Sequence, residues 1–273
     1  MLPLWRDRIS VELSPHSVAW VRLARGLRPS VTAKSQEAVL PQAGEPLWQA
    51  ALVKLQQIML GGEWKSADVT VVLSNHFVRY DCLPWNAELK DEEEQLALAS
   101  HRLTNIYGVA VQKWTLCLSP SGKGESRLVA AVDSALLELL KQAMTEAGIK
   151  LHSIQPYLMT SFNRYAKSMA RSDGWFVAAE AGRFTLALFR DGQWRRVLLR
   201  RGGDLATLHE WLERENLASG EEASCREVFL FGAESHKESA LPSYRLHRLE
   251  LSDCQGYSSK TDPQYSIAMS GVA

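Results

Sequence analysis

Twice along this chain, three alternating apolar stretches follow one another with only short turns between them, and each set runs on into an amphipathic helical stretch. The first set is ISVEL, SVAWVRLARG and SVTAKSQEAVL; the second is WFVAAEAG, RFTLALFRDG and QWRRVLLRRGG. A period of two places alternate side chains on opposite faces, so each stretch reads as a strand with a buried face. The turns fit tight reversals: Ser-Pro-His-Ser at 14–17 in the first set, and Asp191-Gly192, a two-residue hairpin pair, in the second. After each helix comes an apolar strand, VTVVL in the first half and REVFLFG in the second. VTVVL is a continuous β-branched run of the kind buried on both faces of a sheet. Two meander-plus-helix halves amount to an internal duplication of architecture, although side-chain identity between them is slight.

Other segments fill this frame. EPLWQAALVKLQQIMLGG sets Leu47, Ala51, Leu55, Ile58 and Met59 near helical spacing and stops at Gly61-Gly62. From Trp85 the composition changes. KDEEEQLALASHRLTNIYG is a helix with acids at its dipole-favoured end, VAVQKWTLCL and SRLVAAV are strands around PSGKGE, and SALLELLKQAMTEAG is a helix. Residues 85–148 therefore read as an inserted αββα module, and IKLHSIQPY returns the chain to the first core. The expected organisation is residues 1–84 plus 149–171 as the first subdomain, 85–148 as the insert, and 172–273, ending in DPQYSIAMSGVA, as the second. The fold class is α/β with an α+β insert.

Composition narrows function. The 273 residues carry 31 Lys and Arg against 31 Asp and Glu, so no global field draws the chain to nucleic acid or an anionic bilayer. No window approaches the roughly 18 apolar residues needed to span a bilayer, and Arg6, Asp7 and Arg8 occupy the place of a signal peptide's apolar run. A cytoplasmic location is expected. Cys82, Cys117, Cys225 and Cys254 are far apart and read as reduced thiols, and the seven histidines form no metal-ligand frame. The loop SPSGKGES is not a P-loop, because Cys117 stands where its first glycine belongs and Gly124 follows Lys123 where a hydroxyl belongs. No Gly-x-Ser-x-Gly elbow occurs, and no catalytic residue is assigned.

The places left for chemistry are the hairpins and glycine pairs. A phosphate-gripping hairpin needs small residues, which let backbone N–H groups approach, and a nearby acid for a hydrated metal. The first hairpin offers Glu12, Ser14, Pro15, His16 and Ser17; Pro15 removes one donor. The second offers Ala178, Ala179, Glu180, Ala181 and Gly182. Gly202-Gly203 before a helix and Gly232-Ala233 after a strand are further points of close backbone approach, and each also reads simply as a helix start and a strand end. In QWRRVLLRRGG, Arg196 and Arg200 share one face of the strand while Arg195 and Arg201 share the other. They form either a solvated edge or a docking patch for an acidic partner or the membrane surface.

The order of two such halves with an insert in the first resembles the PilM family of type IV pilus assembly proteins, cytoplasmic relatives of the actin-like cell-division protein FtsA. The resemblance runs over essentially the whole chain. ISVELSPHSVAWVRL is similar, without gaps, to the family's opening strand-hairpin-strand, and ADVTVVLSNHFVRYDCLP followed by DEEEQLALASHRL is similar to its next strand and the acidic helix of its insert. GQWRRVLLRRGGDLATL and DPQYSIAMSGVA are similar to its second meander, the glycine pair before a helix, and its final helix. The resemblance implies an actin-like (ribonuclease H-like) duplicated fold and locates a vestigial nucleotide site. Against the family pattern, Glu12 replaces an aspartate, Ser14 a glycine and Ala19 a lysine. Ala178 falls at the metal-linked aspartate, or Glu180 does after a two-residue shift. Gly232-Ala233 keeps one glycine of an adenosine-side pair, and Gly202 and Gly203 complete the set. These departures imply that tight Mg-ATP binding is lost, with no cofactor and no metal site assigned. The implied role is a non-catalytic scaffold at the cytoplasmic face of the inner membrane, in a type IV pilus or type II secretion-like platform, with the cytoplasmic tail of a PilN-like membrane protein as partner; the alternatives are a functional ATPase or phosphotransferase of the same fold, or a self-polymerising filament protein.

Overall fold

The computed structural model describes residues 6–24, 26, 29–61, 64–169, 172–218, 225–232 and 240–272. In chain order come β1 (Asp7–Leu13), β2 (Ser17–Leu23), β3 (Val31–Ala38), α1 (Gln49–Leu60), β4 (Ala67–Leu73), β5 (Val78–Leu83), α2 (Glu92–Tyr107) and β6 (Trp114–Leu118). Then follow β7 (Arg127–Asp133), α3 (Ser134–Glu146), β8 (Lys150–Pro156), α4 (Tyr157–Met169), β9 (Gly174–Glu180), β10 (Arg183–Arg190) and β11 (Gln193–Arg201). The chain ends with α5 (Leu205–Ala218), β12 (Glu227–Gly232), β13 (Arg245–Leu249) and α6 (Ser266–Ser270).

Two five-stranded sheets have the same topology, β3-β2-β1-β4-β8 and β11-β10-β9-β12-β13. In each, an antiparallel meander is continued by parallel strands beyond its first member. The duplication read from the alternation is therefore a duplication of strand order. Asp191 and Gly192 both take positive φ, 51° and 73°, as the two-residue connection of β10 to β11 requires.

The chain divides into two compact units, Met1–Phe77 with Ala135–Arg164 and Glu250–Ala273, and Val78–Ser134 with Tyr165–Leu249. These bounds differ from the sequence-based ones in two ways. First, the small sheet has three strands, β5-β7-β6, and its edge strand lies before residue 85. VRYDCL looks like an extension of β4, but Ser74 breaks the run: its backbone carbonyl accepts from the Phe77 N–H (2.9 Å) and its hydroxyl from the His76 N–H (3.2 Å). Helix α3, the last element of the expected insert, falls in the first unit.

Second, residues 250–273 belong to the first unit rather than to the second half. Helix α6 packs on β1, β2 and β4, and the Ser10 hydroxyl donates to the Ala268 carbonyl at 2.6 Å. A Cβ on Gly271 would lie 2.5 Å from Val72 Cγ2, so only glycine lets the chain come this close to the sheet. Arg164 of α4 donates to the carbonyls of Met269 (2.6 Å), Ser270 (3.2 Å) and Val272, satisfying the open carboxyl end of α6.

In the second unit, α5 covers β9, β10 and β12 over a core that includes Trp175, Phe184, Leu186, Leu208, Leu212 and Leu230. Helix α2 packs the small sheet through Ala99, Leu103, Leu118 and Val129. The acidic run at its start is helix capping. Asp91 accepts from the Glu94 N–H (2.9 Å), and Glu94 accepts from the Lys90 N–H (2.6 Å). Among the described residues no helix is long and apolar enough to cross a membrane.

Candidate functional site

In the first unit, Glu12 and Ala19 face each other across β1 and β2, with Glu12 also beside Val72 of β4. Both are buried. Glu12 shares its face with Ser10, the face covered by α6. No cation stands at position 19; the methyl group there is fully enclosed.

The turn that follows is bound to itself. The Ser14 N–H donates to the Ser17 carbonyl (3.0 Å), the Ser14 hydroxyl donates to the same carbonyl (2.9 Å), and the Ser17 N–H donates to the Ser14 hydroxyl (3.2 Å). The two hydroxyl oxygens lie 3.0 Å apart. Pro15 has no N–H, and the His16 carbonyl accepts from Val39 (2.8 Å), pinning the loop to the chain after β3. Small polar residues were the sequence signal for a phosphate grip, but here they close an ST-turn.

In the second unit, the hairpin from β9 to β10 closes through Ala181 and Gly182, with Gly182 at φ 71° and Glu180 opposite Arg183. Glu180 is the last residue of β9, as Glu12 is the penultimate residue of β1, and both carboxylates are buried. Ala178 sits two residues earlier, mid-strand, opposite Thr185 and Phe231. Glu180 thus has Arg183 as a neighbouring cation. Burial pushes the Arg183 guanidinium below its ordinary range, and the nearby Arg79 and Arg201 act in the same direction, opposed by Glu180.

The glycine pair splits in two. A Cβ on Gly202 would meet Thr207 Cγ2 at 2.8 Å and Phe184 Cε2 at 3.1 Å, and its N–H reaches the Gly182 carbonyl (3.3 Å). Gly203 has open space around it. The helix start just beyond is capped from within, since Asp204 accepts from the Thr207 N–H (2.8 Å) and occupies the place where an anion would sit. Gly232, at φ 118°, pairs with Ala179 at the end of β12. Ala233 lies outside the described residues.

Thr185 was not singled out from the sequence. Its hydroxyl is fully buried on the same face as Ala178 and has no hydrogen-bond partner among the described residues. Only the register opposite Ala178 identifies it, and a β-branched residue within RFTLALF gives no such signal by itself. Among the described residues no group of three or more His, Cys, Asp or Glu is placed to hold a metal ion.

Taken unit by unit, these are the two hairpin-bearing sheets of the actin-like ATPase fold, the expected fold class. No protein-family model and no curated protein sequence matches the chain. Solved structures do. The chain is similar to a structure described as a PilM-PilN type IV pilus biogenesis complex, with a TM-score of 0.69, 16% identity and 98% of each chain covered. It is also similar to the cytoplasmic domain of EpsL, an inner-membrane component of the type II secretion system of Vibrio cholerae, with a TM-score of 0.59, 12% identity and 90% of each chain covered. A Bacteroides thetaiotaomicron protein of actin-like ATPase fold gives 0.58 at 11% identity, over 87% of this chain and 88% of that one.

The first hairpin's serine donors are engaged within the turn, residue 19 brings no charge, and the α5 start is already capped by a carboxylate.

Proposed function

We propose that this chain is a non-catalytic scaffold of an inner-membrane assembly platform of type IV pilus or type II secretion type, working at its cytoplasmic face. Its partner is the cytoplasmic tail of a PilN-like membrane protein. The self-bonded first hairpin carries the non-catalytic part of this reading: Ser14 and Ser17 bond each other, and Ala19 faces Glu12. Charge-assisted contacts to a phosphate contribute about 1.5–3 kcal/mol each, and this hairpin has alanine rather than a cation at position 19 and holds its serine donors within the turn. The likeness over 98% of both chains to a structure determined as a PilM-PilN complex supports the partner. A short extended tail can be held by a groove or a sheet edge without nucleotide chemistry.

One observation favours a second reading, a working actin-like ATPase or phosphotransferase. Each hairpin follows a central strand with a buried carboxylate at or next to its end, Glu12 before Leu13 in β1 and Glu180 closing β9. Titration with a fluorescent ATP analogue, with and without magnesium, separates the two: the scaffold shows no saturable magnesium-dependent signal, whereas micromolar magnesium-dependent binding establishes the second reading. Pull-down with the cytoplasmic tail of a PilN-like single-span membrane protein tests the partner, and failure to retain that tail overturns it.

A further inference from the structure

On a domain surface the outer face of a helix normally carries charge, and α2, α3, α4 and α5 follow that rule with exposed residues such as Glu93, Lys141, Lys167 and Glu210. Helix α1 does not. It buries Ala51, Leu52, Leu55 and Met59 against the first sheet and exposes four residues, Val53, Gln56, Gln57 and Leu60. None of the four is charged. Val53 is 46% exposed and Leu60 88%, so two aliphatic side chains stand in water on one face. The one charge in the helix, Lys54, lies about 100° round from Val53 and is bound to Glu37 of β3 (3.2 Å).

The four exposed residues read apolar, amide, amide, apolar, the same from either end. Val53 and Leu60 are two turns apart, so they lie on one line along the helix, roughly 10 Å from each other. Gln56 and Gln57 fall on opposite sides of that line at its midpoint. A two-fold axis through this midpoint, perpendicular to the helix, sets Val53 of one copy on Leu60 of the other, Leu60 on Val53, and each amide beside its own counterpart. An isologous contact needs a surface complementary to itself, and this pattern supplies it. A carboxamide carries both donors and acceptors and can bond a second carboxamide, whereas an ammonium or a carboxylate at the axis meets its like. A bilayer surface or a charged partner calls for charge of one sign, which this face lacks.

We propose that the outer face of α1 is where two copies of this chain meet, antiparallel, about a two-fold axis passing between Gln56 and Gln57. One helix per copy covers less than the roughly 1,200 Å² at which standard interfaces begin, so the association is weak and reversible. It closes at two copies, and no filament grows from it. The inference stands apart from the platform reading and needs neither phosphate hairpin.

The test is sedimentation equilibrium of the full chain from about 10 to about 500 µM, a range chosen for a contact of this size. The average mass is expected to rise from the 30.5 kDa of one chain toward that of two, with a Kd on the order of 100 µM. Gln57→Lys alone, and Gln57→Glu alone, set like charges across the axis, and each is expected to weaken association at least about tenfold. An equimolar mixture of the two variants pairs opposite charges at the same place and is expected to restore it. A single-chain mass throughout the range, growth beyond two copies, Gln57→Lys associating like the wild type, or a mixture no more associated than either variant alone would each overturn the proposal.

Discussion

Gly202 and Gly203 are neighbours of one residue type in a motif that reads as a nucleotide contact, yet their surroundings assign them different work. Gly202 is packed under Phe184 and Thr207, while Gly203 faces open space. Gly202→Ala is expected to destabilise by about 1–3 kcal/mol and Gly203→Ala by less than about 0.5 kcal/mol, as measured by urea unfolding. Equal effects would show that crowding does not fix the pair. Asp253 gives a pH dependence. It accepts from the Ser259 N–H (2.8 Å) and the Ser258 hydroxyl (2.9 Å), and these bonds, the backbone one first, hold its carboxyl below the usual range. A carboxylate depressed in the folded state contributes stability above its unfolded value of about 3.9, and that contribution is lost as pH falls through the lower folded value. Asp253→Asn should therefore remove part of the acid sensitivity of the melting temperature below about pH 4. An unchanged acid limb would dismiss the contribution.

At the scale of elements, α6 shows how a short helix is held in place by neighbours far away in sequence. Five residues cannot form a stable helix alone. Arg164 binds its last carbonyls, the Thr160 and Ser270 hydroxyls lie 2.8 Å apart, and Gly271 presses on Val72. Arg164→Ala leaves those carbonyls without their charged donor and is expected to cost about 1.5–3 kcal/mol, with amides 266–272 becoming the fastest-exchanging part of the first unit's sheet region. Wild-type protection in that segment would contradict the assignment. The meanders, by contrast, were legible from alternation and turn residues, because a strand's period and an Asp-Gly reversal are local properties. Strand β5 was not, because its separation from β4 depends on one serine turning the chain.

At the scale of the molecule, two sheets of identical strand order set two hairpins in equivalent positions, and their difference bears on function. If the first hairpin is closed on itself, about 1 mM Mg-ATP should leave the melting temperature unchanged, whereas a nucleotide bound with a Kd near 10 µM would stabilise by about 2.7 kcal/mol and give a clear upward shift. The sequence by itself determined the duplication, the strand meanders, the absence of a motif for metal or acyl chemistry, and the residues in the two hairpins, since all of these follow from residue type and spacing. Only the tertiary structure decided that Ser14 and Ser17 bond each other, that residues 250–273 complete the first unit, and that Arg196 and Arg200 share the buried Glu215. The physical reason is that hydrogen-bond partners and charge neighbours are fixed by register and packing between distant segments, which a local pattern does not encode.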